Sequence, residues 1–262
     1  MRAVSAGRRL VSDTLIIAER NLIRLPRAPD LLLAFTVQPI MFFLLFVYVF
    51  GGAIATPGFE DYKDFMLPGI VVQNIAFGGF VTALGLNEDL NKGLIDRFRS
   101  LPMARAAVLG GRTLADVVTN ALSLAIIVIT GLIIGFSFQA SVGEIALGVL
   151  LMLLFGYAFS WVFAWLGMLV SSPEAANSVG FIAVFPLTFI SSAFVPTDSM
   201  PDWMKTFADV NPFTTLVDAM RSLWLDAPAN SDVWASFVWC LVIFAIFAPL
   251  AVARYRSSST RN

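Results

Sequence analysis

Between the first and last hydrophobic blocks of this chain, one long interval is dense in charge of both signs. From Asn87 to Arg112 the sequence reads NEDLNKGLIDRFRSLPMARAAVLGGR, which sets Lys92, Arg97, Arg99, Arg105 and Arg112 against Glu88, Asp89 and Asp96. Mixed charge of this kind makes ion pairs and docking contacts, where it gives specificity more than affinity. The usual catalytic groups are missing. The chain has no histidine, which excludes imidazole bases, His metal sites and histidine proton relays. Its one cysteine, Cys240, sits in an apolar run with no partner for a disulfide and reads as a small core residue. No G-x-x-x-x-G-K-[S/T] loop is present to hold ATP, and no G-x-S-x-G elbow. Polar residues interrupt apolar stretches at Gln38, Gln73, Asn74, Asp116 and Asn120. They lack the paired carboxylates of proton-coupled pumps. No basic patch with interleaved aromatics points to nucleic acid.

The elements that must carry these residues are apolar. Of 262 residues, 58% are hydrophobic and 13% charged, against roughly 25% charged in soluble domains. Mean hydropathy is +0.81. This is the composition of an all-α membrane protein. Six runs have the length, about 20 residues, that crosses a hydrocarbon core of ~30 Å. They are residues 31–51, 65–86, 113–136, 144–170, 176–195 and 233–253. Gln38-Pro39 and Pro186 mark expected kinks, and Gly131-x-x-x-Gly135 reads as a close helix contact. The apolar positions from Leu10 to Ile17 are broken by Ser12, Asp13 and Thr14, so the N-terminus does not read as a signal peptide.

Residues 1–28 are expected to form an amphipathic interfacial helix. Val11, Leu15, Ala18, Leu22 and Leu25 follow helical spacing, with Arg9, Asp13, Arg20, Arg24 and Arg27 on the other side. An apolar stripe backed by arginines suits the headgroup region of an anionic leaflet. Charge then orients the chain. Fourteen of seventeen Lys and Arg fall in the N-terminal segment, the 87–112 loop and the C-terminal tail. Lys63, Lys205 and Arg221 are the exceptions, in segments that are otherwise acidic. The positive-inside rule therefore places both termini and the 87–112 loop in the cytoplasm. Between the last two spans, residues 196–232 carry two helix-start signals, Asp198-Ser199 before Pro201 and Asn211-Pro212. They read as an outer helical hairpin that either dips into the outer leaflet or caps the adjoining spans.

Within the charged interval, Asn87 and Asp89 are candidate helix caps. Leu90, Leu94 and Phe98 share one face, and Pro102 ends the helix near Leu101. A short cytoplasmic helix with one apolar and one charged face can seat in a groove on a partner.

The run Lys92-Gly93-Leu94-Ile95-Asp96-Arg97-Phe98-Arg99-Ser100-Leu101-Pro102 resembles the K-G-x-x-D-R-F-R-x-L-P loop of ABC-2 type permeases, in their daunorubicin-resistance branch. A second ordered block agrees: Phe185-Pro186-Leu187-Thr188-Phe189, Phe194-Val195, Met200-Pro201-Asp202-Trp203 and Asn211-Pro212. The resemblance covers nearly the whole chain and implies a single transmembrane domain over residues 1–262. It implies a half-transporter that pairs with a second permease, identical or a sister chain, and binds two copies of a separate ATPase subunit. ATP and Mg would belong to that partner, with no cofactor on this chain, in a bacterial plasma membrane. Carried over residue by residue, the ATPase-coupling positions are Gly93, Asp96, Arg97, Phe98, Arg99, Leu101 and Pro102. Glu88 and Asp89 flank them, and the turn Ser172-Pro173-Glu174 adds a further cytoplasmic contact.

For cargo, Gln73, Asn74, Phe77 and Phe80 on the second span face Phe185 and Phe189 on the fifth as a candidate substrate path. They suit an amphipathic aromatic or lipidic molecule, although aromatics facing lipid and amides bridging helices explain the same residues. The leading expectation is export of a hydrophobic drug or natural product. A lipid or lipid-linked glycan is the alternative cargo, and a membrane enzyme or anchor the alternative class.

Overall fold

The computed structural model describes residues 2–24, 29–54, 56, 58–59, 61–92, 105–225 and 232–257. Among the described residues every regular element is helical. In chain order these are α1 (Arg2–Arg24), α2 (Pro29–Leu45, continued by the π-helical turn Phe46–Phe50), α3 (Tyr62–Asn91), α4 (Arg105–Ile134), α5 (Val142–Gly167), α6 (Pro173–Phe189), α7 (Asp202–Asp209), α8 (Pro212–Leu225) and α9 (Asp232–Ser257).

Four of them, Tyr62–Asn91, Ala107–Ile134, Val142–Gly167 and Asp232–Ser257, are long and apolar enough to cross a membrane. The other two expected spans fall on shorter helices. The run 31–51 is split between α2 and its π turn, and the run 176–195 ends early. Helix α6 stops at Phe189, three residues past Pro186, and Ile190 to Val195 turn back over the bundle. The expected span 65–86 is longer than anticipated, because α3 continues through Asn91. Asn87 and Asp89 therefore lie inside α3 and do not start a new helix. Helix α4 likewise begins at Arg105, eight residues before the expected span at 113. The two added stretches bring charged residues face to face.

Helix α3 is the axis of the molecule. Two-thirds (67%) of its apolar window is buried, against 28% for α4 and α9. Glycines let it approach its neighbours closely. A Cβ on Gly69 would stand 2.2 Å from Ala193 O, and one on Gly79 2.2 Å from the Phe163 ring. The Gly131/Gly135 pair does two separate jobs. Gly131 faces Leu67 of α3, whose side chain a Cβ would meet at 2.9 Å. Gly135 adopts φ +98°, and Phe136 N–H donates back to Gly131 O at 2.9 Å, closing α4 with a left-handed cap. Local signals also start the helices. Ser141 and Glu144 cap α5 reciprocally, Ser172 caps α6 ahead of Pro173, and Asn211 Oδ1 accepts from Phe213 N–H at the start of α8.

The expected hairpin, α7 and α8, is asymmetric. Helix α8 is nearly all buried, whereas α7 leaves Trp203 and Phe207 exposed, as is Val210 just after it. Asn211 Nδ2 donates to Leu187 O and Ile190 O, both at 2.7 Å, satisfying the orphan carbonyls at the end of α6. Arg221 donates to Phe65 O (2.9 Å), Ser192 O (2.8 Å) and Asp218 (2.8 Å), with its guanidinium over the Phe65 ring. So α8 is bolted to α3 and to the turn after α6. On α7, the Lys205 ammonium beside Asp198 holds that carboxyl below its ordinary range, and Asp198 raises Lys205 in turn. Both are solvent-facing, so the pair stabilises little.

Candidate functional site

Two regions hold the residues singled out by sequence. The first is the pair of helix ends that flank the charged loop. Gly93, Asp96, Arg97, Phe98, Arg99, Leu101 and Pro102 lie outside the described residues. The two stems of the loop are described. Glu88 is on the surface and pairs with Lys92 at 3.0 Å. Asp89 is 5% exposed and turns inward. Its Oδ2 lies 3.4 Å from Arg112 Nη1 on α4 and 3.6 Å from Arg20 Nη2 on α1. Arg112 Nη2 also donates to Val81 O at 2.9 Å, with its guanidinium lying across Gly85. One turn further along α4, Asp116 accepts a hydrogen bond from Thr82. Asn120 fits between Gly78 of α3 and Gly156 of α5. Gln38 is exposed on α2.

Asn87 turns to a neighbour as well. Its Nδ2 donates to Gly167 O (3.1 Å) and Val170 O (2.9 Å), terminating α5. At the same end of the bundle Arg254 Nε donates to Met168 O. Helix α1 packs its Ile17 and Ala18 against the bundle, leaving Val11, Leu15, Ile16 and Ile23 exposed. The expected stripe is therefore divided: Ala18 packs inward, while Val11 and Leu15 face out. Leu25 and Arg27 lie outside the described residues.

The second region is aromatic. Phe77 and Phe80 stack at 5.3 Å on α3, and Phe77 meets Phe181 of α6 at 5.9 Å. Along α6, Phe181, Phe185 and Phe189 stack at 4.8 and 4.2 Å. Phe194 continues the series at 4.7 Å and reaches Phe46 beyond α2 at 5.1 Å. At the other end Phe80 packs on Phe163 of α5 at 4.7 Å. The four expected phenylalanines thus belong to one continuous ladder, with Phe181 and Phe185 exposed along its length. Gln73 is half-buried one turn from Phe77, on the face of α3 that carries Phe77 and Phe80; Asn74 is buried. A ladder of ring faces offers dispersion and offset stacking, about 0.5–1.5 kcal/mol per pair beyond area burial. It offers no nucleophile, acid or base.

Sequence reasoning missed Phe46, Phe163, Phe181 and Phe194. The i, i+4 spacing of Phe181 with Phe185 was the signal for one of them. The others arrive from separate elements with no local pattern. Sequence reasoning also missed the convergence of Arg20, Asp89 and Arg112, since three helices must pack before those charges meet.

A bundle that includes four helices long and apolar enough to cross a membrane has the build of a membrane protein. The family model described as "ABC-2 type transporter" matches residues 12–225, and the chain belongs to that family. It is 35% identical to the "Daunorubicin resistance ABC transporter permease protein DrrB1" of Streptomyces coeruleorubidus, over 98% of this chain and 92% of that one. It is 25% identical to the "Probable doxorubicin resistance ABC transporter permease protein DrrC" of Mycobacterium tuberculosis, over the same shares. To the "Probable multidrug ABC transporter permease YbhR" of Escherichia coli it is 24% identical, over 75% of this chain and 53% of that one.

Proposed function

We propose that the chain is the permease subunit of an ATP-driven exporter. It moves a hydrophobic or amphipathic compound outward across a bacterial plasma membrane, powered by a separate ATPase. In this reading residues 1–262 form one transmembrane domain with six spans, α2 and α6 supplying the two shorter ones. Both termini and the 93–104 loop are cytoplasmic. Two copies of the ATPase, carrying ATP and Mg, dock on the loop positions Gly93, Asp96, Arg97, Phe98, Arg99, Leu101 and Pro102. The active unit contains a second permease, whose facing surface completes the path.

The aromatic ladder carries this reading. A helix facing only lipid has no need to stack three phenylalanines in register and join the row to two other helices. Helix α6 buries Ala176, Gly180, Val184 and Thr188 along one edge and leaves a broad face open beside the rings. Cargo that slides along ring faces keeps similar dispersion contacts at each step, so no single position traps it. The named drugs of the relatives, daunorubicin and doxorubicin, favour a small amphipathic aromatic cargo over a lipid-linked glycan.

The experiment is transport by proteoliposomes that hold the permease with its ATPase, using a fluorescent amphipathic aromatic dye. ATP should drive dye movement, and Phe181→Ala with Phe185→Ala should cut the rate roughly tenfold, the loss of two stacking contacts. Unchanged dye transport by the double variant would remove the path.

A further inference from the structure

The loop that the proposed ATPase contacts is rooted in a buried charge cluster. Asp89 stands one turn before the loop and Arg112 two turns after it. Both side chains are shielded, 7% and 10% exposed, while that of Arg20 is 35% exposed. The two arginines approach the same carboxylate oxygen, at 3.4 and 3.6 Å. Charge-assisted N–H···O bonds close at about 2.7–2.9 Å. The oxygen thus has two cations, from two different helices, within ion-pair distance and beyond that range.

The cluster also reaches the two parts of the molecule that must move. Arg112 donates to Val81 O, the carbonyl next to Phe80 of the ladder. A Cβ on Gly85 would stand 1.7 Å from Arg112 Nη2, so the guanidinium rests on bare α3 backbone. On the other side, α1 rides on α4. A Cβ on Gly111 would stand 2.5 Å from Thr14 O and 2.6 Å from Ile17 Cβ. The two loop stems thus lie in close contact with α1 and with the α3 backbone beside Phe80.

We propose that Arg20, Asp89 and Arg112 are positioning residues for transport. Asp89 acts as a shared acceptor that shifts between Arg20 and Arg112 as the loop moves. The inference rests on the loop's reading as the ATPase-docking element. It assigns Asp89 an internal role and leaves the surface contact to Glu88 and to the loop itself. Two arrangements of one acceptor supply the discrete element that coupling between distant sites requires. The exposed Arg20 arm is the weaker and the more sensitive to salt.

The test measures dye transported per ATP hydrolysed, per assembled permease–ATPase complex in proteoliposomes. Asp89→Asn should lower this ratio about tenfold, within the range for mutations in a coupling network. Asp89→Glu should retain most of it. Arg20→Gln should lower it less, and the difference from the unaltered protein should shrink at high salt. A ratio unchanged in Asp89→Asn, or variants that lose only the amount of complex, would overturn the proposal. If Asp89→Asn fails to assemble, Arg20→Gln decides, and an unchanged ratio there overturns it. An unaltered complex whose transport does not respond to ATP would fail the functional reading instead.

Discussion

At the scale of single residues, the molecule uses side-chain amides and guanidinium groups where helices run out of hydrogen-bond partners. Asn87 and Asn211 each satisfy two carbonyls at the end of another helix. Both asparagines are buried, so no water replaces such a donor and each lost bond leaves a desolvated acceptor. Asn87→Ala should therefore destabilise the end of α5 by about 1–3 kcal/mol. Thermal unfolding of the detergent-solubilised protein would show this as a midpoint several degrees lower. An unchanged midpoint would mean that other donors reach Gly167 and Val170. The sequence marked Asn87 as notable for the wrong reason. An Asn just after an apolar run looks like a helix start, but α3 runs on through it because nothing before Lys92 breaks the helix. The carbonyls it caps are eighty residues away in sequence and invisible to local pattern.

At the scale of elements, helix starts were legible because their signals are local. Asn211 with Pro212 begins a helix where expected, while Ser141 with Glu144 and Ser172 with Pro173, local signals of the same kind, start α5 and α6 a few residues before the expected spans at 144 and 176. Helix ends were less so. Hydropathy marks where the apolar run stops, yet α3 and α4 continue past it as amphipathic turns that bury Asp89 and Arg112. A 30-residue helix is about 45 Å long, well beyond a hydrocarbon core of ~30 Å. The surplus turns form the platform on which α1 sits. Gly111→Leu should force α1 away from α4, since no rotamer avoids the Thr14 backbone. Amide exchange over residues 11–23 would then rise in that variant. Exchange rates equal to those of the unaltered protein would show that α1 is held from elsewhere.

At the scale of the whole molecule, segregation of charge matters most. The ion pairs Asp61–Lys63, Asp198–Lys205 and Asp218–Arg221 lie at one end of the bundle, and Asp89–Arg112, Asp89–Arg20 and Glu88–Lys92 at the other. The basic bias of the second end is what the positive-inside rule reads. Composition and charge counting sufficed for the class of protein. The path did not yield so readily, because Phe46, Phe163 and Phe194 join the ladder only after α2, α5 and the turn beyond α6 pack on α3. A permease of the proposed kind takes its force from a separate ATPase. On this account the force enters at the 93–104 loop, passes the shared carboxylate of Asp89 and shifts the aromatic face.

The direct test of that account is substrate-stimulated ATP hydrolysis by the reconstituted permease–ATPase complex carrying Arg97→Glu. Reversing the charge in the docking loop should abolish both the stimulation and dye export, with the permease still inserted in the membrane at normal levels. Stimulation and export at the rates of the unaltered complex would contradict it.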